Sequence, residues 1–156
     1  MATQTTTKKE ANAIVTGLRK LLADSYALMG QTHLAHWNVE GPHFFHLHAA
    51  FQTQYEELFT AIDDIAERLR ALDVYAPGGL TTLAKESDIR ELSSDAHPAK
   101  DFVAHLIESH ETIVDNAMKL KELTDGVDLE TQDMVIARIQ FHQKTLWMLR
   151  SFLKNL

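Results

Sequence analysis

The segment that decides the fold is HWNVEGPHFFHLH, residues 36–48, in which the pair Gly41-Pro42 separates two long stretches of helical periodicity. Glycine followed by proline ends a helix, so one helix is predicted to stop here and another to begin. The same segment begins with His36 and ends with His48, and the second helix carries Asp63 and Glu67. Imidazole and carboxylate groups together are ligands for a transition metal. The segment therefore predicts a pair of helices and a metal site.

Proline, glycine and polar clusters divide the chain into four long periodic segments and one short one. We predict helices over about 8–39, 43–72, 98–126 and 128–156, with a short helix over about 80–85 inside a long connection. Apolar side chains, Trp37 and Phe59 among them, recur at the three- and four-residue spacing typical of a core-facing helix. Gly126 is a left-handed cap, and Asp128 caps the last helix. The fold class is all-α, a four-helix bundle of the ferritin type running up, down, down, up.

Four polar side chains share a stripe about 100° wide on the second long helix: His48, Gln52, Asp63 and Glu67. Along the helix axis His48 and Asp63 are about 22 Å apart, several times the reach of one ion's ligands. If a second copy packs antiparallel on this face, about a two-fold axis near residues 55–59, the histidine of one chain meets the acids of the other. The sequence therefore predicts two identical metal sites between subunits.

Two alternatives to this metal site stay open at this point. The acids could pair with Arg68 or Arg70 on a solvated face, and the histidines could be packing residues. An intrachain di-iron site, in contrast, needs Glu-x-x-His pairs within helices. The only such pair, Glu40 to His43, is interrupted by Gly41-Pro42, so we do not expect that site.

The composition is that of one globular domain of 156 residues, 45% hydrophobic and 24% charged. We expect residues 1–7 to form a flexible arm and residues 8–156 to form the bundle domain. The absence of cysteine excludes disulfides and thiolate metal sites. The opening MATQTTTKKEAN has no apolar run of the signal-peptide type, and no stretch approaches the roughly 20 apolar residues of a membrane span. We expect a cytoplasmic protein with no membrane partner, with nucleoid association left open.

Three motifs together closely resemble the signature of the Dps family, the dodecameric mini-ferritins of bacteria. They are HWNVEGPHFFHLH, AIDDIAERLRAL at 61–72 and YAPGG at 75–79, and the likeness extends to Trp147. The resemblance implies a hollow shell of twelve subunits with ferroxidase sites at two-fold interfaces. His36 and His48 match the family's ligands from one subunit. Asp63 and Glu67 match those from its partner.

The implied reaction is oxidation of Fe(II), with hydrogen peroxide ahead of dioxygen, and storage of Fe(III) in the shell. Zinc is the alternative ion for these ligands, and whether it competes is left open. Gln52 departs from the family, which usually has Asp or Glu there; its neutral amide predicts one firmly bound ion and a transient second. Trp37 matches a family tryptophan that absorbs radical equivalents beside the site, and its alternative is a core aromatic.

Twelve subunits of formal charge −7 would carry −84, which attracts cations and repels phosphate. The resemblance places Asp128, Glu130 and Asp133 at three-fold pores for cation entry; the alternative is a helix cap with neighbours that favour the helix dipole. For DNA the N-terminal arm offers only Lys8 and Lys9, with Lys154 near the other end, so we predict weak binding.

Two other classes of function remain open. One is a nucleoid DNA-binding protein whose metal site has weakened, supported by Gln52 alone, and the other is a helical oligomerisation module. Seven further histidines lack acidic partners at suggestive spacing and are expected at the surface or in packing, with accessory metal binding by His33 or His46 the alternative. They are His33, His43, His46, His97, His105, His110 and His142.

Overall fold

The structure is a computed structural model that describes residues 8–154. It contains five helices: α1 Lys8–Asn38, α2 Phe44–Ala71, α3 Leu80–Glu86, α4 Ala99–Thr124 and α5 Leu129–Leu153. Within the described range there is no strand, and the predicted helix ends agree with these to within one turn. The all-α fold, with a short helix in the long connection, is confirmed. The expected arm, residues 1–7, lies outside the described residues.

The direction of each helix follows from its contacts. Short turns join α1 to α2 and α4 to α5, so both pairs are antiparallel. Two contacts fix α4 against α1: the Gln31 amide oxygen meets His105 Nε2 at 3.0 Å, and Asn116 donates to Asp24 at 3.0 Å. Since the order along α4 is the reverse of the order along α1, these helices are antiparallel too. The predicted up, down, down, up arrangement is therefore present.

Helix ends occur where the backbone chemistry requires them. Gly41 has a φ of 100° and Gly126 a φ of 67°, both in the left-handed region that glycine enters without a steric penalty. Asp128 accepts a hydrogen bond from the Thr131 amide at 3.0 Å, which satisfies a free N–H of the first turn of α5. Both predicted caps are confirmed, and they set the short turn between α4 and α5.

The long connection is fastened to the bundle through Asp24, a fully buried carboxylate on α1. It accepts hydrogen bonds from the Ser87 hydroxyl at 2.9 Å, the Asp88 amide at 2.7 Å and Asn116 at 3.0 Å. Gln31 accepts the amide of Leu92 further along. Because a buried carboxylate needs such donors, one residue joins α1, α4 and the connection.

Apolar side chains of all four long helices fill the core. Its largest fully buried members include Leu18, Leu28, Phe51, Leu58, Ile65, Phe102, Leu106, Ile113 and Leu120. Two residues expected there are outside it: Trp37 is 68% exposed and Phe59 is 70% exposed. The core interpretation of both is wrong, because helical spacing alone does not distinguish buried from exposed apolar side chains. None of the helices in the described range is long and apolar enough to cross a membrane.

Candidate metal centre

His36 and His48 form one half of the candidate site where α1 ends and α2 begins. His36 Nδ1 is 2.8 Å from the carbonyl oxygen of His48, and His48 Nδ1 is 2.8 Å from the carbonyl oxygen of His36. The rings stack with centroids 3.7 Å apart. A carbonyl oxygen only accepts, so each Nδ1 must carry the proton. In the neutral form of each ring, Nε2 then carries the lone pair with which imidazole binds a metal.

Asp63 and Glu67 form the other half, on the exposed face of α2. They follow His48 by 15 and 19 residues, so the helix rise keeps the two halves roughly 22 Å or more apart within one chain. In the described part of the chain, no group of three or more His, Asp or Glu side chains could hold a metal ion. The described part of one subunit therefore contains no complete metal site.

The structure does not support the alternative in which Arg68 or Arg70 pairs with these acids. Arg68 instead binds Asp128 at 2.8 Å and Thr131 at 2.8 Å, across to α5. The Arg70 guanidinium lies over the ring of Tyr75 at 4.4 Å. Among residues 8–154 no ion pair involves Asp63 or Glu67. Both carboxylates are therefore available to a ligand.

An exposed aromatic residue lies between the half-sites. Phe59 shares the stripe of α2 that carries His48 and Asp63, and with Asp63 it borders a cleft between α1 and α2. A large apolar ring in the middle of a polar stripe is typical of a surface that another protein covers. Phe59 lies at the edge of the range 55–59, where the sequence predicts the two-fold axis.

Rings connect Trp37 to the histidine pair. His33 stacks on Trp37 with centroids 5.2 Å apart and contacts Tyr55 at 4.3 Å, and Tyr55 meets the edge of His36 at 5.1 Å. Burial lowers the pKa of His33, and the charge of His36 lowers it further. Sequence reasoning missed the Tyr55 contacts; the four-residue spacing of His33 and Trp37 could have revealed only the first stack.

Gln52, the doubtful ligand, lies on the same face of α2 one turn after His48. Its amide nitrogen donates to the Glu56 carboxylate at 2.7 Å. Both side chains are exposed. Glu56 did not figure in the sequence interpretation, although its four-residue spacing from Gln52 was visible.

The three acidic residues at the start of α5 differ in burial and in their contacts. Asp128 is the helix cap and also binds Arg68. Burial opposes its ionisation, but hydrogen bonds from Thr131 and the charge of Arg68 outweigh burial and hold the pKa of Asp128 below its ordinary value. Glu130 and Asp133 are exposed. The cap interpretation of Asp128 is confirmed, and the pore remains a prediction.

The lysines proposed for DNA are not on an arm. Lys8 and Lys9 are exposed in the first turn of α1, and exposed Lys154 follows α5. Lys8 and Lys9 are the first two residues of α1 as the structure describes it, so the DNA-binding lysines expected on the N-terminal arm lie in a helix.

Among the other histidines, His110 and His142 form a pair that sequence reasoning missed. Both are fully buried, and their Nδ1 atoms are 2.8 Å apart between α4 and α5. Their packing role was expected, but nothing in a separation of 32 residues predicts contact. His105 is also buried, whereas His43 and His46 are exposed.

Known proteins resemble this chain along nearly its whole length. The family model described as a ferritin-like domain matches residues 15–156. A low temperature-induced protein of Nostoc sp. is 33% identical over 96% of this chain and 84% of the relative. DNA protection during starvation protein 2 of Bacillus anthracis is 32% identical, over 91% and 97% respectively. A crystal structure of a Dps protein from Vibrio cholerae O1 has a TM-score of 0.88 to this chain at 26% identity, covering 94% of this chain and 92% of that one. That protein is described as a member of a broad superfamily of ferritin-like diiron-carboxylate proteins.

Proposed function

Since this chain belongs to the Dps family of ferritin-like proteins, we propose that it is a ferroxidase and an iron-storage mini-ferritin. It oxidises Fe(II), with hydrogen peroxide preferred to dioxygen, and keeps Fe(III) in a hollow shell, which protects DNA from oxidative damage. The observation that carries the proposal is the reciprocal hydrogen bonding of His36 and His48, which leaves both Nε2 atoms free for a metal. The proposed location is the cytoplasm.

The site is completed by a second subunit packed antiparallel on the exposed face of α2. About an axis near residues 55–59, His48 of one chain lies beside Glu67 of the partner subunit, and Gln52 lies beside Asp63 of the partner subunit. Exposed Phe59 supplies apolar surface at the centre of that contact. Six such dimers would form the proposed dodecamer, with two sites in each dimer.

The donor set suits ferrous iron. Two neutral imidazoles and two carboxylates balance the charge of one Fe(II) and leave coordination positions open to an oxidant. Hydrogen peroxide takes up two electrons as its O–O bond breaks, so two Fe(II) become two Fe(III) and two hydroxide ions form. Because both electrons come from iron, no hydroxyl radical is released. Zinc fits the same ligands and would compete.

Two further roles belong to this proposal. Trp37 supplies electrons to any radical formed at the site, through the ring contacts of His33 and Tyr55. Asp128, Glu130 and Asp133 attract Fe(II) at the entry pores, with the two exposed acids contributing most because Asp128 is engaged by Arg68. Both roles rest on the family resemblance together with these placements.

The proposal is tested by adding Fe(II) anaerobically to the metal-free protein and then hydrogen peroxide. We expect Fe(III) to form faster than in protein-free buffer, at two Fe(II) per peroxide, and to remain in solution with the protein on size-exclusion chromatography. Dioxygen in place of peroxide should give slower oxidation. Precipitation of Fe(III) at the protein-free rate would contradict the proposal.

DNA binding is proposed to be weak or absent. Affinity for duplex DNA rises with the number of phosphates neutralised. Each subunit has a net charge of −7, and its N-terminal segment offers only Lys8 and Lys9 for phosphate contacts. We expect no change in plasmid mobility in about 0.15 M salt at neutral pH. A retarded band there would favour the alternative, a nucleoid DNA-binding protein with a weakened metal site.

A further inference from the structure

Among the described residues, only one end of the Gln52 side-chain amide, the nitrogen, has a hydrogen-bond partner. Its nitrogen donates to Glu56 Oε1 at 2.7 Å, and in the part of the chain that the structure describes no donor takes its oxygen. A carboxylate accepts hydrogen bonds and donates none, so Glu56 selects the nitrogen end of the amide. The oxygen is left as the free end.

The choice of end matters for a metal. An amide oxygen can coordinate a cation, whereas an amide NH₂ carries two donor hydrogens and repels it. Without a fixed acceptor beside it, an exposed glutamine presents either end at little cost. In the proposed dimer, Gln52 lies opposite Asp63 of the partner subunit, where a ligand is needed. Glu56 also places a negative charge one turn from a site that has an amide in place of a carboxylate.

We propose that Glu56 is a positioning residue that turns the Gln52 oxygen toward the shared site, so that Gln52 and Asp63 of the partner subunit hold a second, weaker Fe(II). The inference rests on the proposed function and names the ligands of its second ion. Glu56 acts through Gln52 and touches neither iron nor oxidant.

The test is a double-mutant cycle measured by binding of Co(II), a redox-inert probe for Fe(II). The assembled full chain is titrated calorimetrically as wild type, Glu56→Gln, Gln52→Asp and the double variant. In the wild-type background Glu56→Gln is expected to weaken the second ion about fivefold to tenfold, because the Gln52 amide is released and one charge is lost. In the Gln52→Asp background the introduced carboxylate presents oxygen either way, so the same change should cost less than about twofold.

Asp64→Asn is the matched control, since Asp64 is an exposed acid of the same helix away from the Gln52 stripe. It removes one charge and should weaken the second ion by less than about twofold. Equal losses from Glu56→Gln in both backgrounds would show that Glu56 acts through charge alone and would overturn the inference.

The same titration distinguishes failure of the proposed function from failure of the inference about Glu56. His48→Ala should abolish binding of the first Co(II) if the histidine pair is the metal half-site. Unchanged binding in that variant would overturn the proposed function. If binding is lost in His48→Ala while the cycle shows no coupling, only the role of Glu56 is refuted.

Discussion

Two inactive variants of this chain should restore each other's activity when they assemble together. His48→Ala and Asp63→Ala are each expected to lower peroxide-driven Fe(II) oxidation at least about a hundredfold, because each removes a direct ligand. A mixed dimer contains one subunit of each variant. One of its two sites has lost both halves, but the other combines the intact histidines of the Asp63→Ala subunit with the intact acids of the His48→Ala subunit. Random assembly of equal amounts makes half of the dimers mixed, so about a quarter of wild-type activity should return.

The measurement uses co-refolded variants at equal concentration, with assembly confirmed by size-exclusion chromatography. A mixture of His36→Ala and His48→Ala is the matched control, since both changes fall in the same half-site and every site in a mixed dimer still lacks one imidazole. We expect no recovery there. Recovery in the control, or none in the test mixture, would contradict a site shared between subunits.

Local chemistry made most of the fold predictable. Gly41-Pro42, Gly126 and Asp128 end or begin helices through backbone geometry and hydrogen bonding that any chain context would respect. The histidine and acid positions could also be placed on one face of α2, because helical rise and rotation are fixed. The predicted division of the site into two halves follows from that placement and from the length of the helix between the two groups.

Tertiary register could not be predicted in the same way. Periodicity marks Trp37 and Phe59 as apolar, but it does not distinguish a core face from a face that meets another molecule, and both proved exposed. The contact of His110 with His142 depends on how far α4 and α5 slide along each other. The Gln52 to Glu56 hydrogen bond was within reach of sequence reasoning, since its four-residue spacing is local.

The buried histidine pair should make the subunit sensitive to acid. Burial lowers the pKa of His110 to about 3, helped by the charge of Arg138. Burial also lowers the pKa of His142 well below its ordinary value, with the charges of His110 and Arg138 adding to the effect. Arg138 is held by the Glu57 carboxylate, and the Nε2 atoms of both histidines lack a hydrogen-bond partner within residues 8–154. Both rings are therefore neutral in the folded protein.

The sign of the pH dependence follows from where protons bind. An unfolded histidine takes up a proton near pH 6.5, while these buried ones stay neutral to far lower pH. Acid thus favours the unfolded chain. The contribution of the neutral histidine pair to the free energy of unfolding is complete above about pH 6.5 and is lost as the pH falls from there toward about 3. When the pH falls from about 7 to about 5, protonation of each ring in the unfolded chain should lower the free energy of unfolding by about 2 kcal/mol, or about 4 kcal/mol for the pair.

Replacing both rings removes the titrating groups. In His110→Leu/His142→Leu the loss of stability between about pH 7 and pH 5, taken from urea unfolding at fixed subunit concentration, should shrink by about 4 kcal/mol. His142→Leu alone should shrink it by about half, and should cost about 1–3 kcal/mol at neutral pH because His110 loses its partner. Exposed His46→Leu is the control and should change neither quantity. A double variant as acid-sensitive as the wild type would contradict the neutral state of the two buried rings, since rings that are neutral when folded take up protons on unfolding.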